Sequence, residues 1–390
     1  MEIEAGDLKE KIDRKDEVYI LDVRTPQEYK AWKISYNKYK EPPLIPIDQL
    51  LSSTQTAIKQ IPKDKEIITV CSHGNRSMMA ARVLSQLGYD VKSLKGGMAR
   101  WNNIYDIAMM PESDNLSAAI WQVRRVSKGC VGYIVSSSID KNAVVIDPTC
   151  ALEESFMKIA RDNRLNITNV IDTHMHADHV SGASRLAKVT GADLYVSSLE
   201  GYEIADNDNG LTIHPIKDND SIALSNGIQL HAIHVPGHTK GSMAFKLSLS
   251  SGHSHYNYLF TGDTLFIDGI GRPDLRDKEE EFANDLYDSY HNRILKDFPD
   301  DTIVLPTHFN SGVITLEQGR PIYETLGTIK ERVKLLSESK NEFVKHLLGA
   351  NSPRPSNYKT IIEINKNMIP CDQIEMGDLE AGPNSCALKA

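Results

Sequence analysis

The stretch THMHADHVSG, from Thr173 to Gly182, puts metal-binding side chains at four of the six positions from His174 to His179. It directly follows the apolar run ITNVID, so the ligand types cluster where a strand ends. Imidazoles and carboxylates are the common protein ligands of zinc and of the first-row transition ions. Four of them in so short a run are hard to read as a solvated turn, and the spacing His-x-His-x-Asp-His offers donors enough for two ions.

Further along the chain, other apolar segments end in the same way. VPGHTKGS supplies His238, FTGDT supplies Asp263 and LPTH supplies His308. A rigid sheet can gather such strand ends into one cleft from distant positions in the chain. Two readings of the set stand open. In the first, the cluster holds two ions, which generate a metal-bound hydroxide for hydrolysis. In the second, it holds one ion with open positions and does redox chemistry. His234, on the strand leading to His238, is a candidate supporting residue.

The bulk properties bound the surroundings of this site. A chain of 390 residues exceeds what one hydrophobic core usually supports, so two domains are expected. The formal net charge is −9 and no Lys/Arg block is present, which argues against nucleic acid as a partner. No apolar run approaches the ~18 residues of a membrane span, and the mixed-charge start MEIEAGDLKEKIDRKDEVYI is unlike a signal peptide, so a cytoplasmic location without membrane contact is expected. The five cysteines, Cys71, Cys130, Cys150, Cys371 and Cys386, are odd in number and scattered, which does not read as a disulfide framework, and no C-x-x-C pair suggests a zinc clip.

The N-terminal third alternates strand-like and helix-like segments: EVYILDVR, EIITVC, SMMAARVLSQLGYD and VKSLKGG. That alternation predicts a parallel α/β sheet. IAMMPESDNLS, around Pro111, reads as a linker. The expected division is therefore a domain at 1–108, a linker at 109–118 and a second domain at 119–390. Segment 324–348 predicts an amphipathic helix, whereas the tail from about 352 has no legible pattern.

CSHGNRS, from Cys71 to Ser77, follows a strand and opens a helix. Backbone N–H groups at the helix start and the Arg76 charge are the conditions that turn a thiol into a nucleophile. A buried structural cysteine is the plainer reading. The spacing Cys, four residues, Arg, Ser, with LDVRTPQEY upstream and LKGGMARW downstream, resembles the rhodanese (sulfurtransferase) family. The resemblance implies that Cys71 carries a transferred sulfur as a persulfide, that Arg76 helps to orient the incoming donor, and that sulfur passes between thiosulfate, sulfite and glutathione. YKAWKISYNKYKEPPLIPI departs from the family pattern at the donor entrance.

The order His-x-His-x-Asp-His, His, Asp, His resembles the metallo-β-lactamase superfamily over roughly residues 119–370 and implies an αββα sandwich. FTGDTLFIDGIGRPDL and NEFVKHLLGANSPRP narrow the resemblance to the persulfide dioxygenases. That family implies one Fe(II) per chain on His174, His238 and Asp263, with His176, Asp178, His179 and His308 as supporting residues and Arg272 meeting the glutathione part of the substrate. It further implies oxidation of glutathione persulfide by O2 to sulfite, and a homodimer. The alternative is a glyoxalase II-like thioester hydrolase with two zinc ions behind the same rhodanese domain. PTHFNSG departs from some dioxygenases, with Phe309 and Asn310 where they carry Asp and Tyr.

Overall fold

The computed structural model describes residues 1–111, 116–202, 210–251, 254–274, 278–311, 313–350, 354, 357–369, 371–374, 379–384 and 386–389. Residues 112–115 of the expected linker, Leu275 of GRPDL and 351–353 of the NSPRP stretch lie outside these.

The first domain is a four-stranded parallel sheet in the spatial order Glu2–Ile3, Val91–Leu94, Glu66–Val70, Val18–Asp22. Successive strand residues face opposite sides, and both sides are covered, as parallel sheets require. Ile67 and Leu21 pack with Ala80, Ala81 and Leu84 of the helix Asn75–Gln86. Ile68 and Ile20 point the other way, toward Leu8, Ile12 and Trp101.

The second domain stacks two sheets. One has seven strands, in the order Ile213–Ile216, Asp193–Ser197, Asn166–Ile171, Asn142–Ile146, Val131–Ser137, Ala118–Arg125, Tyr105–Met109. The other has six, in the order Ser221–Ser225, Ile228–His234, Met243–Ser251, Ser254–Gly262, Ile303–Pro306, Glu324–Thr325. Between them Tyr133 meets Phe260 edge-on at 5.0 Å between ring centroids. Helices Glu153–Asn163 and Ala183–Thr190 cover the outer face of the seven-stranded sheet through Phe156, Ile159 and Leu186. Helices Glu279–Ser289 and Lys340–Gly349 pack together beyond the other sheet, with Tyr287 against Phe343. The result is the expected αββα sandwich behind a rhodanese-like domain.

Three expectations change. Tyr105–Met109, which the 1–108 division gave to the first domain, pairs antiparallel with Ala118–Arg125 and forms an edge of the second domain's sheet. The helix expected over 324–348 breaks into Leu326–Arg332, a short 3-10 turn and Lys340–Gly349. The last of these starts afresh because Ser339 and Glu342 form a reciprocal capping box. Cys150 and Cys371, read as separate thiols, are joined in a disulfide across 221 residues of chain. Their pairing follows from the tail, whose helix Tyr358–Lys366 returns to the metal-loop side of the sandwich.

The two domains meet through buried polar contacts. Trp32 Nε1 donates to Ser127 Oγ at 2.7 Å, and Arg125 donates to the Asn102 carbonyl at 2.6 Å. Asp106 accepts from the Tyr36 hydroxyl and pairs with Arg124. Among the described residues no helix is long and apolar enough to cross a membrane.

Candidate metal centre and sulfur-transfer loop

In the first domain, the strand Glu66–Val70 ends immediately before Cys71, whose side chain is buried. The backbone turns so that the Gly74 N–H donates to Cys71 Sγ at 3.1 Å, and Ser77 Oγ lies 3.3 Å from the same sulfur. Gly74 then caps the helix Asn75–Gln86, adding the positive end of its dipole. The glycine pair of LKGGMARW has a steric cause: Gly97 sits at φ +56, and a Cβ there would stand 2.1 Å from the Cys71 carbonyl oxygen. That close approach lets Met98 N and Ala99 N bind the carbonyls of Cys71 and Ser72.

Arg76 is brought to the loop, but its guanidinium is held by Glu28 at 2.9 and 2.6 Å and also touches Ser72 Oγ. Glu28 is in turn fixed by its capping box with Thr25. The upstream motif thus steers the arginine, and Arg76 pulls the Glu28 carboxyl well below its ordinary range, with burial opposing. The groups aimed at the sulfur are the Gly74 N–H and Ser77.

In the second domain, the loops after three strands bring His174, His238 and Asp263 together, all buried. His174 Nε2 and His238 Nε2 each lie 3.6 Å from Asp263 Oδ2. Among the described residues none of these three atoms has a hydrogen-bond partner. Their opposite atoms are all engaged. Thr173 Oγ1 donates to Asp147 Oδ2, so it is left to accept from His174 Nδ1 at 2.9 Å, which puts that ring's proton on Nδ1. His238 Nδ1 donates to the Arg272 carbonyl at 2.9 Å. Asp263 Oδ1 meets His308 Nδ1 at 2.6 Å. Both imidazoles therefore present a lone pair at Nε2, and fixing the tautomer from the far side is how metal ligands are usually oriented. Burial, with the neighbouring His174 and against the pull of Asp263, holds His238 down at about 4, so it is neutral at ordinary pH. The two-histidine, one-carboxylate set fits the metal that the sequence pattern implies.

Gly262, before Asp263, has φ +54, and a Cβ would meet Thr173 Oγ1 at 2.7 Å. The FTGDT loop can therefore lie directly on the THMHADH loop.

The supporting histidines divide. His176 Nε2 turns away to Asp147 Oδ1 at 3.2 Å. Asp178 is shared: one oxygen lies 3.0 Å from His179 Nδ1 and the other 3.0 Å from His308 Nε2. Burial opposes a charge on His179, yet Asp178 and Cys130 bring it up to about 10. His234 is remote from this chemistry, bonded to the Lys240 carbonyl. Arg272 is fully buried, with its guanidinium held by Asp274 at 2.6 and 2.8 Å.

Several residues around the centre escaped the sequence reading. Asp147 accepts from Thr173 N, Thr173 Oγ1 and Thr307 Oγ1, tying two ligand loops together. Its setting in VVIDPT, a strand ending in an acid, was the available signal. Cys130 lies 3.8 Å from His179 Nδ1. Asn365 Nδ2 donates to the carbonyls of His176 and His179, both at 2.9 Å, and its Oδ1 accepts from Ser181 N at 2.9 Å. Glu380 accepts from Val180 N at 2.6 Å and pairs with the buried Arg125. Cys386 is fully buried beside Asp263.

A thiol cradle followed by an αββα sandwich with this strand-end ligand set defines a rhodanese–metallo-β-lactamase fusion. Comparison agrees: a Rhodanese-like domain matches residues 4–104 and the Metallo-beta-lactamase superfamily matches residues 129–308. The chain is 31% identical to Persulfide dioxygenase ETHE1, mitochondrial, of Homo sapiens over 226 residues, which covers 57% of this chain and 78% of that protein. The crystal structure of ETHE1 from Myxococcus xanthus aligns with TM-score 0.51 and 25% identity, covering 68% of this chain and 99% of that one. A metallo-beta-lactamase from Staphylococcus aureus subsp. aureus COL aligns with TM-score 0.57 and 27% identity, covering 68% of this chain and 74% of that one. The chain belongs to the persulfide dioxygenase family of the metallo-β-lactamase superfamily, joined to an N-terminal rhodanese-like domain, and this places it among the enzymes of sulfur metabolism.

Proposed function

We propose that this chain oxidises a small-molecule persulfide, glutathione persulfide, with O2 and water to sulfite and the free thiol. The reaction takes place at a single Fe(II) held by His174, His238 and Asp263. Cys71 moves sulfane sulfur between thiosulfate, sulfite and thiols. The observation that carries the reading is the triad: three buried, unpartnered ligand atoms, each oriented by a hydrogen bond at its opposite atom.

Ferrous iron in this triad would supply the one-electron chemistry with O2 that a closed-shell persulfide needs. The chain's own residues do the rest. Thr173 and the Arg272 carbonyl aim the two imidazoles, and His308 braces the carboxylate. Burial keeps bulk water from the reacting sulfur. Arg272 would meet the carboxylates of the thiol carrier only after its guanidinium leaves Asp274. In the first domain, the Gly74 N–H and Ser77 receive the charge on the Cys71 sulfur as it accepts a sulfane sulfur.

One observation favours the hydrolase reading: ligand atoms of Cys130, Asp178, His179 and His308 lie within 4.8 Å of one another, enough to hold a second ion. His179 Nε2 is likewise buried without a hydrogen-bond partner among the described residues; against the second ion, Asp178 is already divided between His179 and His308. Metal analysis of protein reconstituted anaerobically with iron or zinc tests the choice. One iron per chain supports the dioxygenase, and two zinc ions per chain with thioester hydrolysis contradict it.

A further inference from the structure

A strand of the C-terminal tail packs beside the metal centre. Ala387–Lys389 pairs antiparallel with Gly269–Gly271, in the register Gly271↔Ala387. The ladder is extended by one more bond, from Arg272 N to the Cys386 carbonyl at 3.1 Å. Arg272 is the residue whose own carbonyl orients His238. The register therefore sets Cys386 beside the ligand loops, fully buried, with its thiol hydrogen-bonded to the Asp263 carboxylate. Asp263 Oδ2, His174 Nε2 and His238 Nε2 are buried without a hydrogen-bond partner among the described residues, and each Nε2 lies 3.6 Å from Oδ2. A packing cysteine needs no such neighbours, since thiols are usually buried among apolar groups.

We propose that Cys386 is a sulfur acceptor that carries the sulfane sulfur of a small persulfide into the metal centre. This rests on the dioxygenase reading above. In the transfer step the Cys386 sulfur attacks the terminal sulfur of the small persulfide. A new S–S bond forms to Cys386, the old S–S bond breaks, and the small thiol leaves with the proton from Cys386. No net oxidation occurs. The enzyme-borne persulfide is then the group oxidised: with one O2 and one water it gives sulfite, two protons and the regenerated Cys386 thiol.

The fold allows such a trip. Glu380 is anchored upstream by Arg125 and Val180 N, so only the residues after it need to move. Among the described residues they are held by three ladder pairs, by the bond from Arg272 N to the Cys386 carbonyl, and by one from Asn384 N to the Lys128 carbonyl at 2.8 Å. Once lifted, Cys386 reaches solvent to collect sulfur, and re-pairing with 269–271 returns it to Asp263.

The test uses the full chain, loaded with Fe(II) without O2 and treated with glutathione persulfide. Excess persulfide is removed, and the tryptic fragment in which 367–389 stays joined to 142–158 by the Cys150–Cys371 disulfide is weighed, without reductant, before and after O2 is admitted. The proposal expects this peptide to be one sulfur atom heavier before O2. After O2 it returns to its original mass, with one equivalent of sulfite released. Cys386→Ser leaves the peptide unmarked while Cys71 still takes up sulfur. An unmarked wild-type peptide beside normal O2 uptake on free persulfide overturns the carrier role and leaves the dioxygenase reading standing. A marked peptide that releases no sulfite, with no O2 uptake on free persulfide, overturns the reading of the metal centre and the delivery step with it.

Discussion

Asn365→Ala isolates the contribution of the C-terminal extension to the metal loop. Asn365 is nearly buried and makes three hydrogen bonds of 2.9 Å, to the carbonyls of His176 and His179 and from Ser181 N. All three partners belong to the loop that carries His174. At a net value of about 1 kcal/mol each, the set contributes about 3 kcal/mol to holding that loop in place. If metal binding must restore the order that the substitution removes, about 3 kcal/mol is about a hundredfold in affinity. This lies at the upper end of the roughly 10–100-fold loss found when groups that support metal ligands are removed. The assay is competition for Fe(II) or Co(II) against a chelator of known affinity, on the full chain, with circular dichroism to confirm the fold. Asn365→Asp, which keeps the acceptor for Ser181 N but sets a buried carboxylate oxygen against two carbonyl oxygens, should bind metal no better than alanine. An alanine variant that binds metal within twofold of wild type would refute the view that the tail helix organises the centre.

Other substitutions separate the two sites. Cys71→Ser should abolish thiosulfate-linked sulfur transfer while O2 uptake on supplied persulfide stays within about twofold, since Cys71 lies in the other domain; parallel loss of both activities would contradict two independent sites. Asp263→Asn should lose bound iron and O2 uptake yet keep sulfur transfer through Cys71, measured by cyanide-trapped thiocyanate. His176→Ala should retain iron where His174→Ala does not, because His176 turns to Asp147; equal loss by metal analysis would sink the three-ligand assignment. Reducing the Cys150–Cys371 disulfide, which closes a span of 221 residues, should lower stability by about 2–5 kcal/mol. Urea titration with and without reductant checks this, and an unchanged midpoint would contradict it.

The ligand set was legible because each of its members stands at the end of an apolar strand. THMHADH, VPGH, TGDT and LPTH announce themselves by residue type and position, and the sheet brings them together as the alternation implies. The rhodanese loop was legible for the same local reason, although the capture of Arg76 by Glu28 was not: the two lie 48 residues apart and meet only when the Thr25 helix docks on the loop. The tail was opaque. Asn365, Glu380 and Cys386 act through long-range contacts, and nothing in NSPRPSNYKTIIEINK or GPNSCALK marks a residue that meets partners so far back in the chain. The boundary at 108 failed for a related reason, since Tyr105–Met109 takes its strand partner from the following domain. Cys150 and Cys371 likewise carry no local sign that they meet.

The central claim is that the buried triad of His174, His238 and Asp263 oxidises persulfide sulfur with O2. The most direct measurement is oxygen uptake by the anaerobically iron-loaded protein on addition of glutathione persulfide, with sulfite assayed in the same vessel. The account predicts one sulfite formed per O2 consumed, with uptake absent from Asp263→Asn. Iron-loaded protein that consumes no O2 with this substrate would contradict it.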